Sequence, residues 1–314
     1  MGAPKQRRKK GRALSGWVNF DKPLEMGSTK AVGKIRRLFD AQKAGHAGTL
    51  DPLASGILPI ALGEATKTVS YMQDAAKTYE VMLAFGSQTT TDDAEGEVMA
   101  SSDRRPDAAA IEAALGHFTG MIEQIPPQFS AIRKDGRRAY DLARAGEAVD
   151  LAPRLVQIDA ISLLNVLDDG RIWLKVDCGK GVYIRSLARD LGRFLGGFAH
   201  VGALRRTRVG TFDEKTALGL EKLTALGHIA PDLAALDACL LPLETALDDI
   251  PALALNDDAA SGIRQGQAIS PSDPPILANP KGGAVLLTHQ GKALAIAQWD
   301  EKDRLLRPRR VFNL

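Results

Sequence analysis

At 314 residues and 45% hydrophobic, the chain is long enough for two domains, or one large domain with an appendage, and can fill a sizeable core, so it is globular. Its two cysteines, Cys178 and Cys239, exclude a disulfide framework and a cysteine-built zinc site, and they fit a reducing cytoplasm. The net charge of +3 hides an asymmetry: residues 1 to 12 carry Lys5, Arg7, Arg8, Lys9, Lys10 and Arg12 with no acid, so the remaining 35 of the 41 basic residues face 38 acidic ones.

Such a basic run reads either as a disordered, solvated arm or as one drawn to a polyanion such as RNA. A second positive region, Lys175 to Lys215, has nine basic residues and four acidic, whereas Leu236 to Asp258 has six acids and no base. A polyanion-binding face is therefore only part of the surface. The basic start lacks the apolar segment of a signal peptide. The longest uncharged stretch of the central motif, Pro52 to Gly63, has twelve residues and two prolines. That is well short of the ~20 needed to cross a bilayer, and no membrane span is expected.

In chain order, Trp17 to Phe20 has the composition of a short strand, ended by Asp21-Lys22-Pro23. Ser28 is placed to cap a helix whose Val32, Ile35, Leu38 and Phe39 fall at helical spacing. A glycine-rich loop from Lys43 follows, holding one carboxylate, Asp51, ahead of Pro52 and framed by Gly45, Gly48 and Gly56. Proline fixes its own φ and pushes the residue before it out of the helical region, so Asp51 sits on a shaped loop. Ile57 to Gly63 reads as a buried segment and Glu64 to Met72 as a helix. Thr78 to Phe85 alternates, with Tyr79, Val81, Leu83 and Phe85 on one face, as a half-buried strand does.

Gly86 to Gly96 is an acidic loop with Asp92, Asp93 and Glu95, and Asp107 to Phe118 an amphipathic helix. From Gln124 to Pro153 the texture changes: Ile125-Pro126-Pro127 resists regular helix, and Arg133, Lys134, Arg137, Arg138 and Arg144 surround Tyr140. It reads as an inserted, mobile excursion, either merely solvated or a nucleic-acid clamp. Ile172 to Cys178 is a strand, Ser186 to about Leu195 a helix that puts Arg185 at an element boundary, and Ala199 to Gly210 another strand. Strands and helices mix without a βαβ rhythm or a nucleotide fingerprint, which favours α+β with a largely antiparallel sheet. Pro242 to Pro251 reads as an acidic linker, and short apolar runs between Gly and Pro turns predict a small β-rich domain from about residue 252 to the end.

A lone carboxylate such as Asp51 can be nucleophile, general base, metal ligand or mere cap. Metal binding is disfavoured, since His46 and Asp51 have no companion cluster at ligand spacing, and Ser55 lacks a nucleophile elbow. Use of the carboxylate on a sugar C1′ stays open.

The run Gly45-His46-Ala47-Gly48-Thr49-Leu50-Asp51-Pro52-Leu53-Ala54-Ser55-Gly56-Ile57-Leu58-Pro59, with Gly63-Glu64-Ala65-Thr66-Lys67, resembles the signature of the bacterial tRNA pseudouridine-55 synthases, the TruB family. Further family-like pieces follow in the same order: Asp21-Lys22-Pro23, Lys77-Thr78-Tyr79, Thr89 to Gly96, Gln124 to Pro127, Gly181 to Leu187, and Leu204 to Thr207. The resemblance is collinear from about Gly16 to Gly210. It implies isomerisation of uridine 55 in the T arm of tRNA, with base flipping and without cofactor or metal, by a cytoplasmic monomer. Asp51 would be the essential carboxylate, attacking C1′ or deprotonating C2′, and Arg185 its partner. Tyr79 would stack on the uracil, His46 would hold extruded nucleotides, and Leu204 would line the uracil pocket. Lys22 and Pro23 would support the loop, and Tyr183 and Asp93 complete the substrate-binding set. The domains implied are a basic disordered tail over 1–15, a catalytic domain over 16–250 with a thumb at about 124–153, and a PUA-like RNA-binding domain over 251–314. One departure stands out: Thr90 occupies a position where relatives commonly carry aspartate, while Asp93 keeps the second carboxylate.

Two rival classes remain on sequence grounds. A non-catalytic RNA-binding or tRNA-folding protein would use the basic regions but has no need of Asp51 beside Arg185. A glycoside-processing enzyme would call for a second acid and has no use for a basic thumb.

Overall fold

The computed structural model describes residues 11–130, 132–134, 136–147, 149–229, 233–271 and 283–314. The tail expected over 1–15 lies outside that set for residues 1–10. From Gly11 onward the chain is fixed to the fold, contrary to that expectation: Arg12 is ion-paired with Asp237, and its backbone bridges to Ala41.

The chain opens with β1 (Gly16–Lys22), α1 (Ser28–Leu38), β2 (Ala44–His46) and β3 (Ala54–Leu62). β1 and β3 pair antiparallel along their length, Gly16 opposite Leu62 and Lys22 opposite Gly56. β3 reads as a continuous apolar run because both its faces are covered. Leu58, Ile60 and Leu62 enter the main core with Ala31 and Ile35 of α1, whereas Ile57 and Ala61 enter a second core with Trp17 and Phe212.

Where the sequence predicts one helix over Glu64 to Met72, the chain forms a 3₁₀ segment (Gly63–Thr68) and then α2 (Val69–Asp74). In β4 (Lys77–Phe85), Tyr79, Val81, Leu83 and Phe85 are buried and the residues between them half-buried, as the alternation requires. The short β5 (Ser87–Thr89) and β6 (Val98–Ser101) flank the acidic loop, and α3 (Ala108–Leu115) is capped by Asp107, whose carboxylate accepts the Ala110 N–H at 2.8 Å.

β7 (Gly120–Gln124) leads to the inserted segment, a hairpin of β8 (Arg133–Lys134) and β9 (Arg137–Arg138) followed by α4 (Ala139–Arg144). That insert has a small core of its own, formed by Ala139, Leu142, Val149 and Leu151. β10 (Arg154–Val166), β11 (Ile172–Cys178), α5 (Ile184–Phe194) and β12 (Ala199–Val209) follow. Next come β13 (Phe212–Asp213), β14 (Leu218–Gly219), α6 (Leu220–Ile229) and α7 (Ala234–Asp237).

The main sheet runs β14-β1-β3-β12-β4-β11-β10-β7, with β2 beside β3 and β13 beside β12. Only β1–β14 and β3–β12 pair parallel, so the sheet is mixed and largely antiparallel, as the α+β reading predicts. The β3–β12 contact depends on a glycine. Gly56 sits at φ +100°, and a Cβ there would lie 2.2 Å from the carbonyl oxygen of Arg206.

β15 (Ala252–Leu255), α8 (Asp257–Arg264), β16 (Ala284–His289), β17 (Lys292–Asp300) and β18 (Leu305–Val311) complete the chain, the four strands forming a separate sheet. The segment 242–251, read from its acids as a linker, is instead a wedge. Its Leu243, Leu247 and Ile250 are buried in the second core between Trp17 and Phe212 on one side and Leu286, Ile296 and Phe312 on the other. Asp248 and Asp249 are exposed, and half-buried Glu244 accepts the Ala293 N–H at 2.8 Å, which is why composition alone misleads. No helix among the described residues is long and apolar enough to cross a membrane.

Candidate active site

Asp51 lies on the loop between β2 and β3, and two tethers from the start of the chain hold it. Ser28 is not the cap of α1, as predicted; Gly27 takes that position, and the Ser28 hydroxyl bonds the backbone of Leu50. It donates to the Leu50 carbonyl and accepts the Leu50 N–H, each at 2.8 Å, while buried. The Glu25 N–H donates to the Pro52 carbonyl at 2.9 Å. The residues on both sides of Asp51 are thus fixed by backbone bonds, leaving its carboxylate free to project.

Lys22 is fully buried at the end of β1 and donates to the carbonyls of Pro23 (3.0 Å) and Met26 (2.7 Å). It shapes the turn that carries Glu25. Burial pushes its ammonium down to about 8, with the Asp51 charge opposing and Arg206 adding to the shift. Pro23 itself is exposed, so its support is through its carbonyl.

Arg185 lies in the first turn of α5. The start of that helix is set by buried Gln124, whose side chain accepts the Tyr183 N–H (2.7 Å) and donates to the Tyr183 carbonyl (3.1 Å). The Arg185 guanidinium reaches Asp51 at 3.0 Å and Asp93 at 3.5 Å, and donates to the carbonyls of Thr91 (3.1 Å) and Phe129 (2.9 Å). One turn on, Arg189 pairs with Asp92 at 3.3 Å and donates to the Ile125 carbonyl at 2.8 Å. Burial raises the Asp92 carboxyl, and the Arg189 charge opposes that shift. Two arginines on one face of α5 therefore clamp the acidic loop and the chain leaving β7.

Asp51 and Arg185 open onto a cavity of about 380 Å³ also lined by Tyr79, Tyr183, Lys77, Arg206 and the inserted segment's Phe129, Ser130 and Tyr140. Tyr79 is 8% exposed, and burial raises its phenol above the usual range, keeping it a neutral O–H. Burial does the same to Tyr183. In the insert, Phe129 and Tyr140 meet edge to face at 6.0 Å, and the Arg144 guanidinium lies 5.2 Å from the Tyr140 ring centre. The aromatic residue noted in the sequence, Tyr140, thus lines the cavity, with Arg144 over its ring.

His46 and Leu204 are not among the residues lining it. Leu204 pairs with Ala54 and Val81 and packs on the main core. His46, in β2, has its Nδ1 buried without a hydrogen-bond partner among the described residues, and burial lowers its imidazole, with Arg206 adding to the shift. The Arg205–Arg208 cluster, within the positive region noted over Lys175 to Lys215, is largely engaged. Arg205 is ion-paired with Asp21 and Glu214, Arg208 lies 3.7 Å from Asp177, and Arg206 is 1% exposed. Sequence reasoning missed Lys77, Arg206 and Gln124 as parts of the site; the signal for Lys77 was its place two residues before Tyr79 on the same strand face. Among the described residues no three metal-binding side chains converge.

The chain as a whole has known relatives. The family model for "TruB family pseudouridylate synthase (N terminal domain)" matches residues 36–184, and that for "tRNA pseudouridylate synthase B C-terminal domain" matches 185–248, before the C-terminal sheet. Their border cuts α5, so it marks no boundary in the fold. The tRNA pseudouridine synthase B of Rhodopseudomonas palustris is 51% identical across all of this chain and 84% of its own length. That of Agrobacterium fabrum is 51% identical across 98% of this chain and 97% of its own length. Among solved structures, a chain of a Cbf5–Nop10–Gar1 complex superposes with a TM-score of 0.74 at 26% identity, covering 95% of this chain and 85% of that one. With half its residues shared with full-length relatives and its motif loop, arginine and tyrosine gathered at one cavity, the chain belongs to the TruB family of pseudouridylate synthases.

Proposed function

We propose that the chain converts uridine 55 in the T arm of tRNA to pseudouridine, with Asp51 as the essential carboxylate. The observation that carries this reading is the Asp51–Arg185 pair at the mouth of a cavity that also holds Tyr79. The target nucleotide is extruded from its stack, at an expense of a few kcal/mol that pocket stacking and phosphate contacts offset. Asp51 then acts on the sugar, either by attacking C1′ or by removing the C2′ proton, as the C1′–N1 bond breaks. The freed ring turns, C5 joins C1′ as Asp51 leaves C1′ or returns the C2′ proton, and the C5 proton leaves while N1 takes one up. Tyr79 supplies a neutral ring for stacking. Tyr183 and His46 contact the extruded nucleotides, and Asp93 holds Arg185 in line. The segment at about 124–153 acts as a thumb over the RNA, and residues 251–314 as a PUA-like RNA-binding domain. The enzyme works as a cytoplasmic monomer. A non-catalytic RNA binder would make no use of a carboxylate held by a buried arginine at a cavity mouth.

The test is tritium release from C5 of uridine in a T-arm stem-loop. The native chain releases tritium and Asp51→Asn does not; equal release from the variant would refute the assignment.

A further inference from the structure

The carboxylate chemistry leaves two buried cations of the cavity without a task. Lys77 and Arg206 both line it and are 7% and 1% exposed. Among the described residues, their hydrogen-bond partners are backbone carbonyls, never a carboxylate. Lys77 Nζ donates to the carbonyls of Gln73 (2.8 Å) and Ala75. Arg206 donates to the carbonyls of Ile57 (2.8 Å), Gly48 (3.0 Å) and Thr49 (3.5 Å). An ammonium has three N–H donors and a guanidinium five, so each group keeps donor capacity in reserve.

The register of the sheet puts the two cations together. Arg206 stands opposite Tyr79 across β12 and β4, and Lys77 precedes Tyr79 by two residues on the same face. Gly48, at φ +104°, lets the Asp51 loop rest directly on them: a Cβ there would stand 3.4 Å from Arg206 Nη1 and 4.0 Å from Lys77 Cε. Burial, and then the neighbouring Arg206 charge, push the Lys77 ammonium down to about 8. Two like charges buried side by side are unfavourable unless an anion joins them. Asp51 is not that anion, because it is held by Arg185.

The reaction proposed above supplies one, and the inference rests on that reading. When the C1′–N1 bond breaks, both bonding electrons stay with the ring, which carries one negative charge over N1, O2 and O4. The charge persists until C5 bonds to C1′, which releases the Asp51 carboxylate or returns the C2′ proton; the C5 proton then leaves and N1 takes one up, so that atoms and charge balance as an isomerisation. We propose that Lys77 and Arg206 are the electrostatic floor of the cavity that stabilises the detached uracil anion. They play for the departing ring the part that fixed donors play for an oxyanion. Their carbonyl bonds hold them in place before the charge appears, so little reorganisation accompanies bond cleavage.

The experiment compares stem-loops carrying uridine or 5-fluorouridine at the target position under single-turnover conditions, reading the loss of the starting nucleoside after nuclease digestion. Fluorine makes the detached ring a better anion by itself, so it needs the floor less. Lys77→Met is expected to slow uridine conversion by about 100-fold, the usual effect of removing one such donor. RNA affinity is expected to stay unchanged, 5-fluorouridine to be slowed much less, and Lys77→Arg to recover part of the uridine rate. Equal slowing of both substrates overturns the proposal, as does a loss of affinity with the rate intact, which would assign Lys77 to the RNA backbone. The native enzyme gives a second reading that needs no variant. Its uridine rate falls as Lys77 deprotonates above a pH of about 8, and its 5-fluorouridine rate falls less; parallel profiles overturn the proposal. A native chain inactive on both substrates would bring down the isomerase reading itself, an outcome distinct from equal slowing in an active enzyme.

Discussion

Arg185 and Asp51 stand 3.0 Å apart with unequal exposure, the arginine side chain 7% and the aspartate 40%. The guanidinium is held from behind by the Thr91 and Phe129 carbonyls and by Asp93, whose side chain is 6% exposed. Its position therefore does not depend on Asp51, while Asp93, whose other oxygen accepts from the Thr91 hydroxyl and the Glu95 N–H, has Arg185 as its countercharge. Asp51→Asn is expected to leave stability within about 1 kcal/mol of native, as for a partly exposed pair. Arg185→Met strands a buried carboxylate and is expected to lose roughly 3–5 kcal/mol. The double variant Arg185→Met/Asp93→Asn should regain much of that stability and none of the activity. Urea unfolding beside tritium release tests the pattern, and a double variant no more stable than Arg185→Met would refute it.

Ser28 offers a separate handle on the same loop, because its hydroxyl both donates to and accepts from the backbone of Leu50. Ser28→Ala leaves a buried N–H and a buried carbonyl unpaired, with an expected stability loss of about 1–3 kcal/mol. The residue next to Asp51 then loses its anchor, so kcat is expected to fall about tenfold or more, as small misplacements of a reacting group do. The RNA dissociation constant should stay at the native value; a kcat equal to native would show that the tether is structural alone.

How far this site was legible in the sequence follows from how local each signal is. The face of Tyr79, Val81, Leu83 and Phe85 could be read because a strand alternates every second residue, and the burial follows that alternation. The placement of Arg185 could be read from the glycine turn and the helix after it. Ser28 looked like a cap because its real partner is 22 residues away. Arg206 looked like a surface cation because nothing local reveals that β12 runs parallel to β3 and turns residue 206 inward. The same holds for Arg189, whose partner Asp92 lies 97 residues earlier, and for the wedge at 242–251, whose acids mask four buried apolar residues.

The two depressed lysines give stability a pH dependence whose sign can be worked out. Burial pushes Lys22 and Lys77 down to about 8 in the folded chain from the ordinary 10.5, so between those pH values the unfolded chain binds more protons. Stability then rises with pH, by roughly 1 kcal/mol per lysine for each pH unit above 8. Cys178 works the other way. Burial pushes its thiol up to about 12 from 9.0, so the unfolded chain loses that proton first and this contribution falls above pH 9. Two rising contributions outweigh one falling one until the lysines of the unfolded chain titrate, so a maximum near pH 10.5 is expected in urea midpoints, with the rising limb shallower in Lys22→Met and the falling limb shallower in Cys178→Ala. A midpoint that only falls from pH 8 upward would contradict the buried, charged state of the lysines.

The basic start of the chain divides into two parts with different expected roles. Arg12 is committed to Asp237, so it belongs to the fold. Lys5, Arg7, Arg8, Lys9 and Lys10 precede the described residues and are the cations available to RNA phosphates. Each phosphate neutralised contributes about 0.7–0.9 to the slope of log affinity against log salt, so deleting residues 1–10 is expected to flatten that slope by up to about 4. Affinity should weaken most at low salt and the two proteins should converge as salt rises, because screening removes the tail's contribution first. Single-turnover rates at saturating enzyme should stay the same, since the tail acts on encounter and retention and not on the cavity. Titrations of a tRNA by both proteins across a range of salt concentrations check this, and an unchanged slope would make the arm a bystander to binding.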